Sequence, residues 1–182
     1  ENLTIQAQYA RVLEQNAEDI AVIYAEANYK LAPVTISAQT IQSDTGATTA
    51  SDGALYGIKA AAKVGMVSLM AAYTTTDNDA DVVRGRGNGA DLPYTAGAIA
   101  GGGSAAAADT DSYKVAVGTT VAGLGLNVSY ANWETNGSED DSETNFTASY
   151  KVNKEASIKV MHSVFDGTTQ DTRSRVYLSY KF

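Results

Sequence analysis

Apolar and polar residues alternate with a period of two through nearly every stretch between turn signals, the pattern of strands with one apolar and one polar face. Tyr113, Val115, Val117 and Val121 alternate with Lys114, Ala116, Gly118 and Thr120, and Leu124, Leu126, Val128 and Tyr130 with Gly125, Asn127 and Ser129. Near the end, Val176, Leu178, Tyr180 and Phe182 share one face, while Arg173, Arg175, Tyr177, Ser179 and Lys181 share the other. Reading the pattern throughout predicts ten strands, at 2–13, 19–31, 34–43, 53–64, 66–76, 110–121, 124–134, 143–153, 156–166 and 171–182. Helical periodicity is nearly absent.

The connections fall into two alternating classes. Short ones occur at Ala32-Pro33, Val64-Gly65, Ala122-Gly123 and Asn153-Lys154-Glu155; longer polar ones cover 14–18, 44–52, 77–109, 135–142 and 167–170. Each strand has the length a tilted strand needs to cross a bilayer, and no apolar run approaches the roughly 20 residues of a membrane helix. Short turns on one side and long loops on the other predict an all-β, antiparallel up-and-down transmembrane β-barrel as a single domain over 1–182, with both ends of the ten-strand set on the short-turn side.

A soluble β-sandwich also alternates, so the faces must separate lipid from a dry core. On the apolar faces Tyr9, Tyr56, Tyr73, Tyr113 and Phe146 fall toward the long loops, and Tyr29, Tyr150, Tyr180 and Phe182 toward the short turns. Two such bands suit the membrane interfaces, where amphipathic rings settle. On the other face stand Lys30, Lys59, Lys63, Lys114, Lys151, Lys159, Arg173, Arg175 and Lys181, nine of the 13 cations, with Glu26 among them. A cation aimed at lipid near the midplane costs about 2–4 kcal/mol, so this sorting calls for a wet lumen. His162 alone breaks the pattern on the apolar face, where a bulge or an interfacial position would accommodate it.

Composition narrows function. The net charge of -8 disfavours nucleic acid, and the absence of Cys removes thiolate and disulfide chemistry. Most carboxylates lie in or beside the long connections, giving an acidic mouth above a basic wall.

The ending Arg173-Ser-Arg-Val-Tyr-Leu-Ser-Tyr-Lys-Phe182 resembles the C-terminal insertion signal of bacterial outer-membrane barrels. Together with Phe146-Thr-Ala-Ser-Tyr-Lys-Val-Asn153 and Ala156-Ser-Ile-Lys-Val-Met161, it makes the chain resemble the C-terminal part of campylobacterial-type major outer membrane porins. The resemblance implies an integral outer-membrane homotrimer of barrels with about sixteen to eighteen strands each. It also implies contact with outer-membrane lipid and lipopolysaccharide, recognition of the last strand by the barrel-assembly machinery, long loops outside the cell and passage of small solutes. Glu1 runs directly into strand-like Asn2-Leu-Thr-Ile-Gln-Ala-Gln-Tyr9, so the expectation is that further strands precede it.

For such a protein the relevant chemistry is an electrostatic field rather than bond-making. Lys30, Lys59, Lys63, Lys114, Lys151, Lys159, Arg173, Arg175 and Glu26 are the candidate pore-lining residues. The 33-residue connection 77–109 exceeds what a surface link needs, and porins commonly fold such a loop inward; its candidate constriction residues are Asp77, Asp79, Asp81, Arg84, Arg86 and Asp91. Asp77, Asp79 and Asp81 are also a weak calcium candidate, lacking the remaining ligands of an EF-hand. Arg84-Gly-Arg-Gly-Asn-Gly89 has neither the Lys-Ser/Thr ending nor the helix of a phosphate cradle. The small-residue run 96–108 suits a mobile tip, lumenal packing or a trimer contact. Two alternatives stand beside passive diffusion: a non-conducting anchor or adhesin, and a rim hydrolase that would have to use His162, with Asp166 near it and no obvious nucleophile.

Overall fold

The computed structural model describes residues 2–12, 19–44, 52–83, 92–101, 103–138 and 140–181. Ten strands form one antiparallel sheet in chain order: β1 (Leu3–Val12), β2 (Ile20–Leu31), β3 (Val34–Asp44), β4 (Gly53–Val64), β5 (Val67–Thr76), β6 (Thr110–Val121), β7 (Leu124–Thr135), β8 (Asp141–Lys151), β9 (Ala156–Asp166) and β10 (Asp171–Tyr180). β1 and β10 stand at opposite ends of this order. The expected strands are all present; β8 begins and ends two residues earlier than its pattern suggested, because Asp141 already pairs with Trp133. Phe182 lies outside the described residues.

Register assigns every side chain to a face, because the pairing runs without a bulge through each ladder. One row of paired positions reads Thr4, Asn28, Ser37, Lys59, Ala72, Lys114, Ala131, Glu143 and Phe165. This is the inner face, and it contains the buried positions, Ser37, Ala72, Ala131 and Glu143 among them. The outer face carries Ile5, Ile58, Leu69, Val117, Leu126, Val160 and Leu178, all exposed. A large, exposed apolar surface of this kind is foreign to a soluble monomer and suited to hydrocarbon.

The inner face also carries large apolar residues. Val22, Tyr24, Ile41 and Leu55 are buried with Val82 and Ala106 in one cluster, and Trp133 and Ala131 with Ala105 in another. Both clusters join strands to the connection between β5 and β6, whose single helical turn is Ser104–Ala106. Alternation alone missed these residues because it assigns a face, and says nothing of what covers it.

The short turns follow local backbone chemistry. Ala122 and Gly123 take φ of 50° and 80°, the left-handed pair that matches strand twist in a two-residue hairpin. The preceding hairpin turns at Gly65-Met66, one residue later than expected, with Gly65 at φ 60°. Asn153 Oδ1 accepts hydrogen bonds from the backbone N–H of Glu155 (2.8 Å) and Ala156 (2.7 Å), closing the last short turn. Gly123→Val is expected to lower unfolding free energy by about 1–2 kcal/mol and Ala122→Gly to raise it by up to about 1 kcal/mol. Urea midpoints of protein refolded into vesicles check both; unchanged midpoints would mean that the turn carries no strain.

Candidate functional site: the inner face and its loop

The described parts of the β5–β6 connection lie on the inner face, held at three places. At its stem, Asp109 N–H donates to Asp77 O (2.7 Å), Val82 N–H to Ala106 O (2.8 Å) and Ala108 N–H to Asp81 Oδ1 (2.8 Å). Thr76 Oγ1 donates to Ala105 O (2.8 Å), and Ser43 Oγ accepts from Val83 N–H (3.1 Å). Burying Val82 of the connection against the wall adds about 1.5–3 kcal/mol of apolar transfer.

The second attachment is on β3, β4 and β5. Gln39 offers both ends of its amide: Nε2 donates to Leu92 O (3.1 Å) and Oε1 accepts from Tyr94 N–H (2.7 Å). Thr74 and Thr95 share a hydroxyl hydrogen bond of 2.6 Å, and Lys59 Nζ sits 3.9 Å over the Tyr94 ring. Burial, reinforced by the nearby Glu26 carboxylate, pushes the Tyr94 phenol well above its ordinary pKa, so it stays neutral. Glu26 itself accepts hydrogen bonds from Tyr24 Oη and Asn28 Nδ2.

The third attachment is a buried carboxylate. Glu143, fully buried on β8, accepts from the backbone N–H groups of Ala98, Ile99 (2.8 Å) and Ala100 (2.9 Å), and from Asn145 Nδ2 (2.7 Å). Successive amides turned toward one anion make a charge-assisted nest. Lys114 Nζ completes the grip by donating to Ala96 O (2.5 Å). Gly97 is required here: a Cβ would meet Glu143 Oε2 at 2.5 Å and the Trp133 ring at 2.9 Å. The Ala/Gly-rich run is therefore close packing against the wall; small side chains let the backbone reach Glu143.

Register puts the nine candidate pore-lining residues, Lys30, Lys59, Lys63, Lys114, Lys151, Lys159, Arg173, Arg175 and Glu26, on this same face. Lys59 and Lys114 touch the loop, whereas Lys159 reaches Tyr177 (5.4 Å to the ring) and Arg173 pairs with Asp171 (2.7 Å). Of the constriction candidates, Asp77, Asp79 and Asp81 form the loop stem, and Arg84, Arg86 and Asp91 lie outside the described residues. Asp81 is engaged with Ala108, and among the described residues no three His, Cys, Asp or Glu side chains are gathered to hold a metal ion. Tyr9, Tyr29, Tyr56, Tyr73, Tyr113, Tyr150 and Tyr180 are exposed on the outer face.

Gln39, Tyr94, Gly97, Trp133 and Glu143 escaped the sequence reading. Even Glu143 carried no distinguishing signal, since it stands two residues from the long-loop end of β8 among the other rim carboxylates. His162 also needs correction. Its ladder is regular, so no bulge explains it; it faces outward opposite Phe146, with Nδ1 2.9 Å from Ser174 Oγ. A hydroxyl therefore does lie beside it, but no carboxylate bonds to the ring among the described residues, and Asp166 is instead held by Gln170 (3.2 Å).

A ten-stranded meander with an apolar outside and a loop folded against its inside can be compared with known barrels. The sequence model of the family described as Gram-negative porin matches residues 2–170. The chain belongs to that family.

Solved porin structures share the fold. A porin refined at 1.8 Å resolution superposes with a TM-score of 0.72 at 19% identity, over 100% of this chain and 58% of its own. OprD of Pseudomonas aeruginosa gives 0.73 at 16% identity, covering 98% and 55%, and OccK8 (OprE) of the same organism 0.72 at 19%, covering 99% and 54%. The chain thus spans a little over half the length of these porins. No curated protein sequence matches it.

Removing the anchoring carboxylate should free the loop of this porin. Glu143→Ala leaves several buried N–H groups without an acceptor, each worth about 1–3 kcal/mol. Amide exchange across 92–101 is expected to accelerate about tenfold or more, and Gly97→Val to act in the same direction. Hydrogen-exchange mass spectrometry reads this; unchanged protection would place the anchor elsewhere.

Proposed function

We propose that this chain forms part of the wall of an outer-membrane porin and supports passive diffusion of small hydrophilic or charged solutes through a water-filled lumen. The observation that carries the reading is the loop folded onto the inner face, held by Gln39, Lys114 and Glu143, while the inner positions beyond it are cationic and small. A wall of this kind narrows a pore at the loop and leaves a hydrated passage beside it. The lining residues in this reading are Lys30, Lys59, Lys63, Lys114, Lys151, Lys159, Arg173, Arg175 and Glu26, with the outward tyrosines at the two membrane interfaces.

Long loops outside the cell, a homotrimer, and contact with lipopolysaccharide and the assembly machinery through the last strand belong to the same proposal. So does the finer kinship with campylobacterial-type porins, which strand-like sequence upstream of Glu1 would support. A plugged, non-conducting anchor is the competing reading, since the loop covers much of the inner face. Conductance in a planar bilayer separates the two. Open channels whose single-channel conductance rises on deleting residues 84–106 are expected; absence of conductance would favour the anchor, and an unchanged value after deletion would place the loop away from the constriction.

A further inference from the structure

Charge in this chain is sorted along the strands as well as across them. Lys30, Lys63 and Lys151 stand within two residues of the short-turn ends of β2, β4 and β8, and Lys159 is the fourth residue of β9 from the same side. Lys154 lies in the short turn itself and Lys181 just past β10. The one described carboxylate at this end is Glu155, whose Oε2 accepts from Tyr180 Oη at 3.3 Å.

The opposite end reverses the sign. Among the described residues, every carboxylate other than Glu26 and Glu155 lies in a long connection or within two residues of a strand's long-loop end; of those on strands, Asp141, Glu143 and Asp171 face inward. Two described arginines share that end, and each is neutralised by a neighbour: Arg11 by Asp19 (2.5 Å) and Arg173 by Asp171 (2.7 Å). Among the described residues, no lysine at the short-turn end is paired with a carboxylate. Between the two zones lies the loop, where Glu143 and Lys114 are both occupied in holding backbone.

We infer that this porin is an electrical rectifier: an acidic zone at the long-loop side in series with a basic zone at the short-turn side, separated by the constriction. The inference rests on the channel reading and adds a direction to it. Each zone concentrates its counter-ion, to potentials of several kT at low salt. When the long-loop side is positive, cations enter through the acidic zone and anions through the basic one, and both accumulate at the constriction. Reversing the voltage withdraws both and depletes it. Small anions therefore move most readily from the short-turn side toward the long-loop side.

The test is the current–voltage curve of the full-length porin in a planar bilayer containing potassium chloride, with orientation fixed by a protease site between Thr168 and Thr169 cut from one chamber. With the long-loop side positive, the current ratio at about 100 mV is expected to be about 1.5 or more in about 0.1 M salt, falling to about 1 in about 1 M salt as the Debye length shrinks from about 10 to about 3 Å. The quadruple substitution Lys30→Gln, Lys63→Gln, Lys151→Gln and Lys159→Gln should bring the low-salt ratio toward 1; a ratio unchanged in its open channels would overturn the inference. The salt series on the unsubstituted protein needs no variant to fold. Symmetric currents at low salt, or rectification of the opposite sign, would overturn the inference and leave the porin reading intact. No current at any voltage would overturn the porin reading instead.

Discussion

A chain that crosses hydrocarbon must satisfy its own backbone N–H and C=O groups, since nothing in lipid will do so. The unbroken ladder from β1 to β10 meets that demand on both edges of β2 to β9 with hydrogen bonds between neighbouring strands. Once the ladder is fixed, a period of two leaves each strand one face for lipid and one for water. The outer exposure of Ile58, Leu69, Val117 and Leu178, and the inner placement of Lys63, Lys159 and Arg175, follow from that division.

The inner face adds a second demand. Backbone that leaves the ladder inside a barrel needs partners of its own, and the β5–β6 loop finds them in side chains. Gln39 mimics a peptide unit, accepting and donating to the segment around Tyr94, while Glu143 gathers the N–H groups of residues 98–100. Gly97 permits the approach, and Val82, Ala105 and Ala106 seal the apolar patches of the wall. Loop and wall are thus one folded unit.

Much of this was legible beforehand, for a physical reason. Strand existence and face assignment are local, so Tyr113 through Val121 revealed both without knowledge of any partner. Boundaries moved by one or two residues, for instance where pairing reached further than pattern, as at Asp141, or where a turn closed one residue on, as at Met66. The loop's anchors were not legible, because Gln39 and Glu143 look like any polar inward residues until a distant segment arrives beside them. Their contacts span tens of residues, and alternation holds no information at that range. His162 was misjudged for the same reason: its hydroxyl neighbour Ser174 comes from the next strand.

The central claim, that β7 divides water from lipid residue by residue, is tested most directly by spin-label accessibility along Leu124–Thr135 in reconstituted membranes. Single substitutions to Cys, including Gly125→Cys, Asn127→Cys and Val128→Cys, would carry the label. Collisions with a water-soluble relaxer should peak at Gly125 and Asn127, and collisions with oxygen dissolved in lipid at Leu126 and Val128, alternating with a period of two. Equal accessibility of neighbouring positions to the water-soluble relaxer would contradict the barrel wall.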